Sequence, residues 1–201
     1  MDGWTTITGM KSEIILIGPG RSGKSTIAEL IYARTFLPHC SLDVLRWKYY
    51  DEIGYDRYTA RVKLAEEGFW GMYRYWKPFE AHAVKRVLSD YRECIFDFGA
   101  SHSVYEDDDL FSQVRDVLQP YPHVILLLPS PDPEESIEIL NARNTYASNG
   151  QREVNEHLVR HHSNYDLAKF TAYTKDKTPE ETCDEILNWV RSNGWTYEPR
   201  E

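Results

Sequence analysis

Four short apolar runs interrupt a chain that is otherwise amphipathic. Ile14-Ile15-Leu16-Ile17 is unbroken, rich in β-branched residues and stops at Gly18. Its length and the glycines after it predict a strand covered on both faces, as in a parallel sheet. Cys94–Phe98, ending at Gly99, and Val124–Leu128, closed by Pro129, have the same form. Phe170–Thr174 is a weaker fourth run. Between them the apolar positions follow a helical period. Thr26–Thr35 carries Ile27, Leu30 and Ile31. Phe79, Ala83, Val84, Val87 and Leu88 share a face before the second run, and Leu110, Val114, Val117 and Leu118 do so before the third. Pro133–Ala142 and Glu180–Val190 complete the set. Strands alternating with helices predict an α/β fold with a parallel sheet and helical crossovers. Without an internal repeat, low-complexity tract or linker, residues 1–201 are expected to form a single domain.

The first strand runs into Gly18-Pro19-Gly20-Arg21-Ser22-Gly23-Lys24-Ser25, followed by Thr26 and a helix. This is the phosphate-binding pattern G-x-x-x-x-G-K-[ST] in the strand–loop–helix context that gives it meaning. Glycines let successive amides turn toward phosphate oxygens, and the helix start adds its dipole. Lys24 is expected to reach the β- and γ-phosphates of ATP or a similar triphosphate, with the Ser25 hydroxyl suited to Mg²⁺. Asp97, at the end of the second run, is the candidate second metal-site acid. A chance match of the four fixed positions would arise in roughly 1% of chains this long, before the flanking context is required.

Charge narrows the partners. The formal net charge is -9, so most of the surface repels a nucleic-acid backbone, and nucleic acid is not the expected partner. Cys40, Cys94 and Cys183 lie far apart with no CxxC spacing, which argues against a zinc staple or disulfide framework. No apolar run approaches the ~20 residues of a membrane helix, and the polar stretch Met1–Lys11 does not read as a signal peptide. A cytoplasmic protein is expected, of open oligomeric state.

The order of the pieces resembles the shikimate kinase branch of the nucleoside-monophosphate-kinase-like P-loop kinases, over roughly Glu13 to Val190. The resemblance rests on the loop, on Leu37-Pro38-His39-Cys40-Ser41-Leu42-Asp43, on the Phe79–Leu88 helix leading into Ile95–Gly99, on Pro131-Asp132-Pro133-Glu134 after the third run, and on the Thr178-Pro179-Glu180-Glu181 helix start. It implies a three-layer fold: a five-stranded parallel sheet flanked by helices, with a small lid at about 143–153. It also implies a set of roles. Asp43 matches the second Asp of a D-x-D motif that meets the acceptor hydroxyl, with Ser41 at the first position. Lys77 and Glu80 fall where the family has a carboxylate-binding Arg and a Glu. Gly99 keeps only the first of three substrate-binding glycines. Arg143 and Arg152 are the lid arginines, and His161 stands where another substrate Arg is expected. Lys or neutral His cannot reproduce an Arg fork on a carboxylate, so shikimate is not the expected acceptor.

Each of these residues also has a plainer reading. Asp43 would serve as a helix N-cap. Lys77 and Glu80 could be an ordinary surface pair beside Pro78 at a first helical position. The aromatic stretch Phe69–Trp76 is core or the wall of an acceptor pocket. His157 and His161 share a helix face, but the segment lacks the HExxH glutamate, so zinc is not expected. Glu106-Asp107-Asp108-Asp109 reads as a solvated helix start. The resulting expectation is an ATP-dependent, Mg²⁺-requiring kinase that phosphorylates a hydroxyl on a small molecule. The alternatives are an ATP-binding sensor or interaction protein without transfer, and a kinase for nucleotides or nucleic-acid ends.

Overall fold

Five strands, all parallel, run in the order β2-β3-β1-β4-β5 in a computed structural model that describes residues 12–143 and 150–196. The strands are β1 (Ile14–Ile17), β2 (His39–Ser41), β3 (Ile95–Asp97), β4 (Val124–Leu128) and β5 (Phe170–Tyr173). The helices are α1 (Lys24–Thr35), α2 (Leu42–Glu52), α3 (Arg57–Asp90), α4 (Asp108–Leu118), α5 (Pro133–Ala142), α6 (Gln151–Arg160), α7 (His162–Leu167) and α8 (Pro179–Ser192).

Alternation along β1 creates the layers. Ile15 and Ile17 join Phe96, Leu126 and the α3 residues Ala83, Val84 and Val87 in one core. Ile14 and Leu16 face the other way, against Ile27 and Ile31 of α1 and Ile186 and Val190 of α8. Successive strand side chains point to opposite faces, so a run apolar at every position is what two helical layers require. The three-layer architecture follows.

Two elements differ from expectation. The helix expected over Phe79–Leu88 is the last part of the 34-residue α3, which is interrupted at Gly68 (φ 67°, ψ -164°). That combination is open essentially to glycine alone. Pro78 lies inside α3 rather than at a helix start. β3 is also shorter than the apolar run: Cys94 and Phe98 flank it, buried, and each still makes one backbone hydrogen bond to β1. Helix ends follow local chemistry. Thr178 and Glu181 form a reciprocal capping box at α8, and Asp132 caps α5 with Pro133 as its first residue. Among the described residues, no helix is long and apolar enough to cross a membrane.

Candidate active site

β1 lies between β3 and β4, and the loop leaves its carboxyl end. Gly18 has φ 131°, and a Cβ there would sit 2.5 Å from the Leu127 carbonyl oxygen of β4. No other residue type fits so close to that backbone. Gly23, at φ 106°, turns the chain into α1. Lys24 is buried, and its Nζ donates to the Gly18 and Pro19 carbonyls, each at 2.9 Å. Burial pushes its pKa down, and the charges of Asp97 and Asp43 push it back up. Both carboxylates are therefore electrostatic neighbours of the ammonium.

Asp97 pairs in register with Leu16 of β1 and Ser41 of β2. The Ser25 hydroxyl donates to Asp97 Oδ2 at 2.6 Å, and His39 Nε2 lies 3.6 Å from the same oxygen. Burial raises the Asp97 pKa, but the contacts from His39 and Ser25 and the Lys24 charge outweigh it and hold the carboxyl below its usual range. An ionised carboxylate beside a hydroxyl at the phosphate end is an oxygen donor set that suits a hard cation such as Mg²⁺, completed by water and phosphate oxygens.

Across the loop stands Asp43, in the first turn of α2. It is not the cap: Ser41 holds that position. Freed from capping, the Asp43 side chain is 60% exposed and lies 3.5 Å from Arg46 Nη1. It rests against Gly99, where a Cβ would fall 2.4 Å from Asp43 Oδ1 and 2.5 Å from His102 Nδ1. Of the three glycines that the resemblance calls for, the one retained is the one that this contact demands. His102 is fully buried, and desolvation drives its pKa down.

Gly20, Arg21, Asp43 and Arg46 open onto one cavity of about 260 Å³. Phe69, Tyr73 and Trp76 of α3 form one wall, and Val154, Asn155 and Leu158 of α6 another. The aromatic stretch thus lines the space opposite the loop without filling it. Arg46 lies over Trp47 and Trp76, with its guanidinium carbon 4.5 and 5.6 Å from the ring centroids. A second cavity, about 340 Å³, lies at the start of α1 between Arg21, Thr26, Arg143 and Lys177.

The remaining expected residues fall in different surroundings. Lys77 and Glu80 are neither a surface pair nor part of the cavity lining. Lys77 Nζ donates to Glu80 Oε2 at 2.5 Å, Ser101 O at 2.8 Å and Val104 O at 2.9 Å, which uses all three of its protons. Glu80 Oε1 accepts from the Ser101 hydroxyl at 2.6 Å. The pair therefore braces the turn after β3, whose Ala100 and Ser101 do line the cavity. Arg143 is locked to the loop: its Nη1 donates to Arg21 O at 3.0 Å, and the Arg21 guanidinium donates to Arg143 O. Arg152 is exposed in the first turn of α6. The expected lid segment 144–149 lies outside the described residues. His161 caps α7 by accepting the Ser163 amide at 3.3 Å, away from the cavity lining. Arg46 and His102 were missed. Arg46, one helical turn from Asp43, was findable from its spacing; His102 carries no such signal.

No protein-family model matches the sequence, and no curated protein matches it. Several solved structures do resemble the fold. A shikimate kinase from Acinetobacter baumannii, solved in complex with shikimate, superposes with a TM-score of 0.61 at 15% identity, covering 92% of this chain and 95% of that one. The Aquifex aeolicus shikimate kinase gives 0.57 at 17% identity over 92% and 99%. A gluconokinase from Sinorhizobium meliloti gives 0.53 at 13% identity over 92% and 94%. With its strand order, its loop and these likenesses, the chain has the shikimate kinase-like P-loop kinase fold.

Proposed function

We propose that the protein is an ATP-dependent kinase that transfers the γ-phosphoryl group to a hydroxyl of a small molecule other than shikimate. One observation carries this reading: Asp43 and the phosphate-binding loop open onto the same cavity, and the Asp43 charge is felt at Lys24. In the reaction the acceptor oxygen forms a bond to the γ-phosphorus while the bond to the β-phosphate oxygen breaks. The acceptor proton passes to Asp43, and ADP leaves. Loop amides and Lys24 stabilise charge on the phosphate oxygens, so catalysis is mostly positioning and electrostatics. Ser25 and Asp97 would hold Mg²⁺, which would neutralise charge on the phosphates. Arg143, by its grip on Arg21, orders the mouth of the cavity at α1, whose size suits a nucleoside. Arg152 is assigned to the lid.

The acceptor end supports a compound with an apolar or aromatic body beside its hydroxyl, because Phe69, Tyr73, Trp76 and Leu158 dominate the walls. It does not support a shikimate-type carboxylate grip at residue 77, where the ammonium is fully engaged inside the protein. The test is a mass-spectrometric screen of hydroxylated metabolites with ATP and Mg²⁺. A phosphorylated product is expected, with the rate for Asp43→Asn lower by about 10²–10⁴-fold and nucleotide affinity nearly unchanged. ATP binding without any product, at equal ATP hydrolysis by wild type and Asp43→Asn, would refute the proposal.

A further inference from the structure

Beyond the loop and its cavity, the described residues contain one cluster that combines imidazoles with a carboxylate. Glu106, in the turn before α4, lies against His157 in the last turn of α6 and His161 just after it. One ligand atom from each residue lies within 4.8 Å of the other two. We propose that Glu106, His157 and His161 form a binding site for a divalent transition-metal ion, with Zn²⁺ as the best match.

The chemistry of the donors selects the metal. Two imidazoles and one carboxylate suit Zn²⁺ and its neighbours, whereas Mg²⁺ and Ca²⁺ want oxygen alone. His157 and His161 are four residues apart, and the His161 amide donates to the His157 carbonyl at 3.0 Å. The helical turn therefore continues through both, and their rings lie 5.2 Å apart. His157 Nε2 sits 2.6 Å from Glu106 Oε1. A metal ion would replace the proton shared between them. The Tyr73 hydroxyl donates to the same carboxylate oxygen at 2.8 Å and is 3.4 Å from His157 Nε2. It orients the carboxylate from the second layer, as partners of metal ligands do. Trp70 packs edge-on to His157 at 5.1 Å and restrains the ring.

Accessibility fits as well. The side chains of Glu106 and His157 are 42% and 26% exposed, which leaves room for a water ligand and a route from solvent. The Ser163 amide contact to His161 Nδ1 is long, at 3.3 Å, and competes only weakly for that ring. The third ligand beside the two imidazoles thus comes from an acid 51 residues upstream, a pairing that only the fold creates. A bound ion would pin the end of α6 to the turn before α4. Val154, Asn155 and Leu158 of the same helix wall the cavity, so the metal would fix that wall.

The test is a Zn²⁺ titration of the chelator-treated full chain against a chromophoric competitor, with Co²⁺ as a spectroscopic probe. We expect one Zn²⁺ per chain and a melting temperature raised by about 5–10 °C at ~100 times Kd. The Co²⁺ form should show visible absorption from nitrogen–oxygen coordination. Glu106→Gln and His157→Ala should each weaken binding by at least about tenfold, and so should His161→Asn, which keeps an acceptor for the Ser163 amide. His82→Ala, at the His82–Glu52 contact remote from the cluster, should leave binding unchanged. Failure of the folded wild type to bind Zn²⁺, or equal affinity in folded His157→Ala and His161→Asn, would overturn the site. Kinase activity enters none of these readouts.

Discussion

The two ends of the cavity are built in opposite ways. The phosphate end is made from one contiguous stretch, Gly18–Ser25, whose working parts are backbone amides and a single ammonium. The acceptor end borrows side chains from α2, α3, α6 and the turn after β3. Main-chain donors are fixed by φ and ψ and tolerate little change, so this end reads the same in any chain that binds a phosphate tail. The acceptor end depends on which side chains other elements bring, and it can be rebuilt without touching the loop.

The contrast can be broken most sharply at its hidden brace. Lys77→Met leaves Glu80 charged and buried without its partner, which should cost about 3–5 kcal/mol of stability, read as a lowered denaturation midpoint. The folded fraction should still bind nucleotide, because the Lys77–Glu80 pair is bonded to Ser101 and Val104 and not to the phosphate-binding loop. The same pair makes a prediction for acid. Burial raises the Glu80 pKa, but Lys77 and His102 outweigh it and leave the carboxyl below its ordinary value of 4.5. Its stabilisation is then full above that pH and is lost as the pH falls below it. Glu80→Gln should flatten the acid limb of a melting-temperature profile.

At the phosphate end, Lys24→Ala should lower the transfer rate by about 10²–10³-fold and weaken nucleotide binding in calorimetry. Stability should change less than with Lys77→Met. Gly99→Ala probes the seam. A methyl group 2.4 Å from Asp43 Oδ1 must displace that side chain, at a cost of about 1–3 kcal/mol. Steady-state kinetics should show the acceptor KM or kcat altered while the KM for ATP holds. The smallest effects separate the two arginines. Arg143→Ala removes a charged donor from the loop and should reduce the rate by about tenfold to 100-fold. Arg152→Ala, on an exposed turn, should change it less than about twofold if that side chain stays in solvent during turnover.

How much could be read from the residues follows the same divide. β1, the loop and α1 were legible because the signal is local: an apolar run, three glycines and a helix period. The position of Asp97 at a strand end was legible too, whereas Asp43, in the first turn of α2, was reached only through the resemblance. The environment of Lys77 was not. Pro78 suggested a helix start with a surface lysine beside it, but α3 continues through the proline and its interruption falls at Gly68. Only the packing of Ser101 and Val104 against α3 reveals three acceptors for one ammonium. Glu106 was read with the acids that follow it. Asp107 does cap α4, accepting the Leu110 amide at 2.9 Å, but Glu106 turns the other way, toward Tyr73 and His157. Adjacent residues of one charge had two fates, and the difference lies in elements distant along the chain.

The strand order has a consequence for how the protein can vary. β1 is hydrogen-bonded on both sides, whereas β2, three residues long, is held on one side by β3. Edge segments open before central ones, so amide exchange should be faster at His39–Ser41 than at Ile14–Ile17. Asp43 follows directly from that margin. Small shifts at the rim would therefore re-aim the Asp43 side chain while β1 and the loop after it stay anchored.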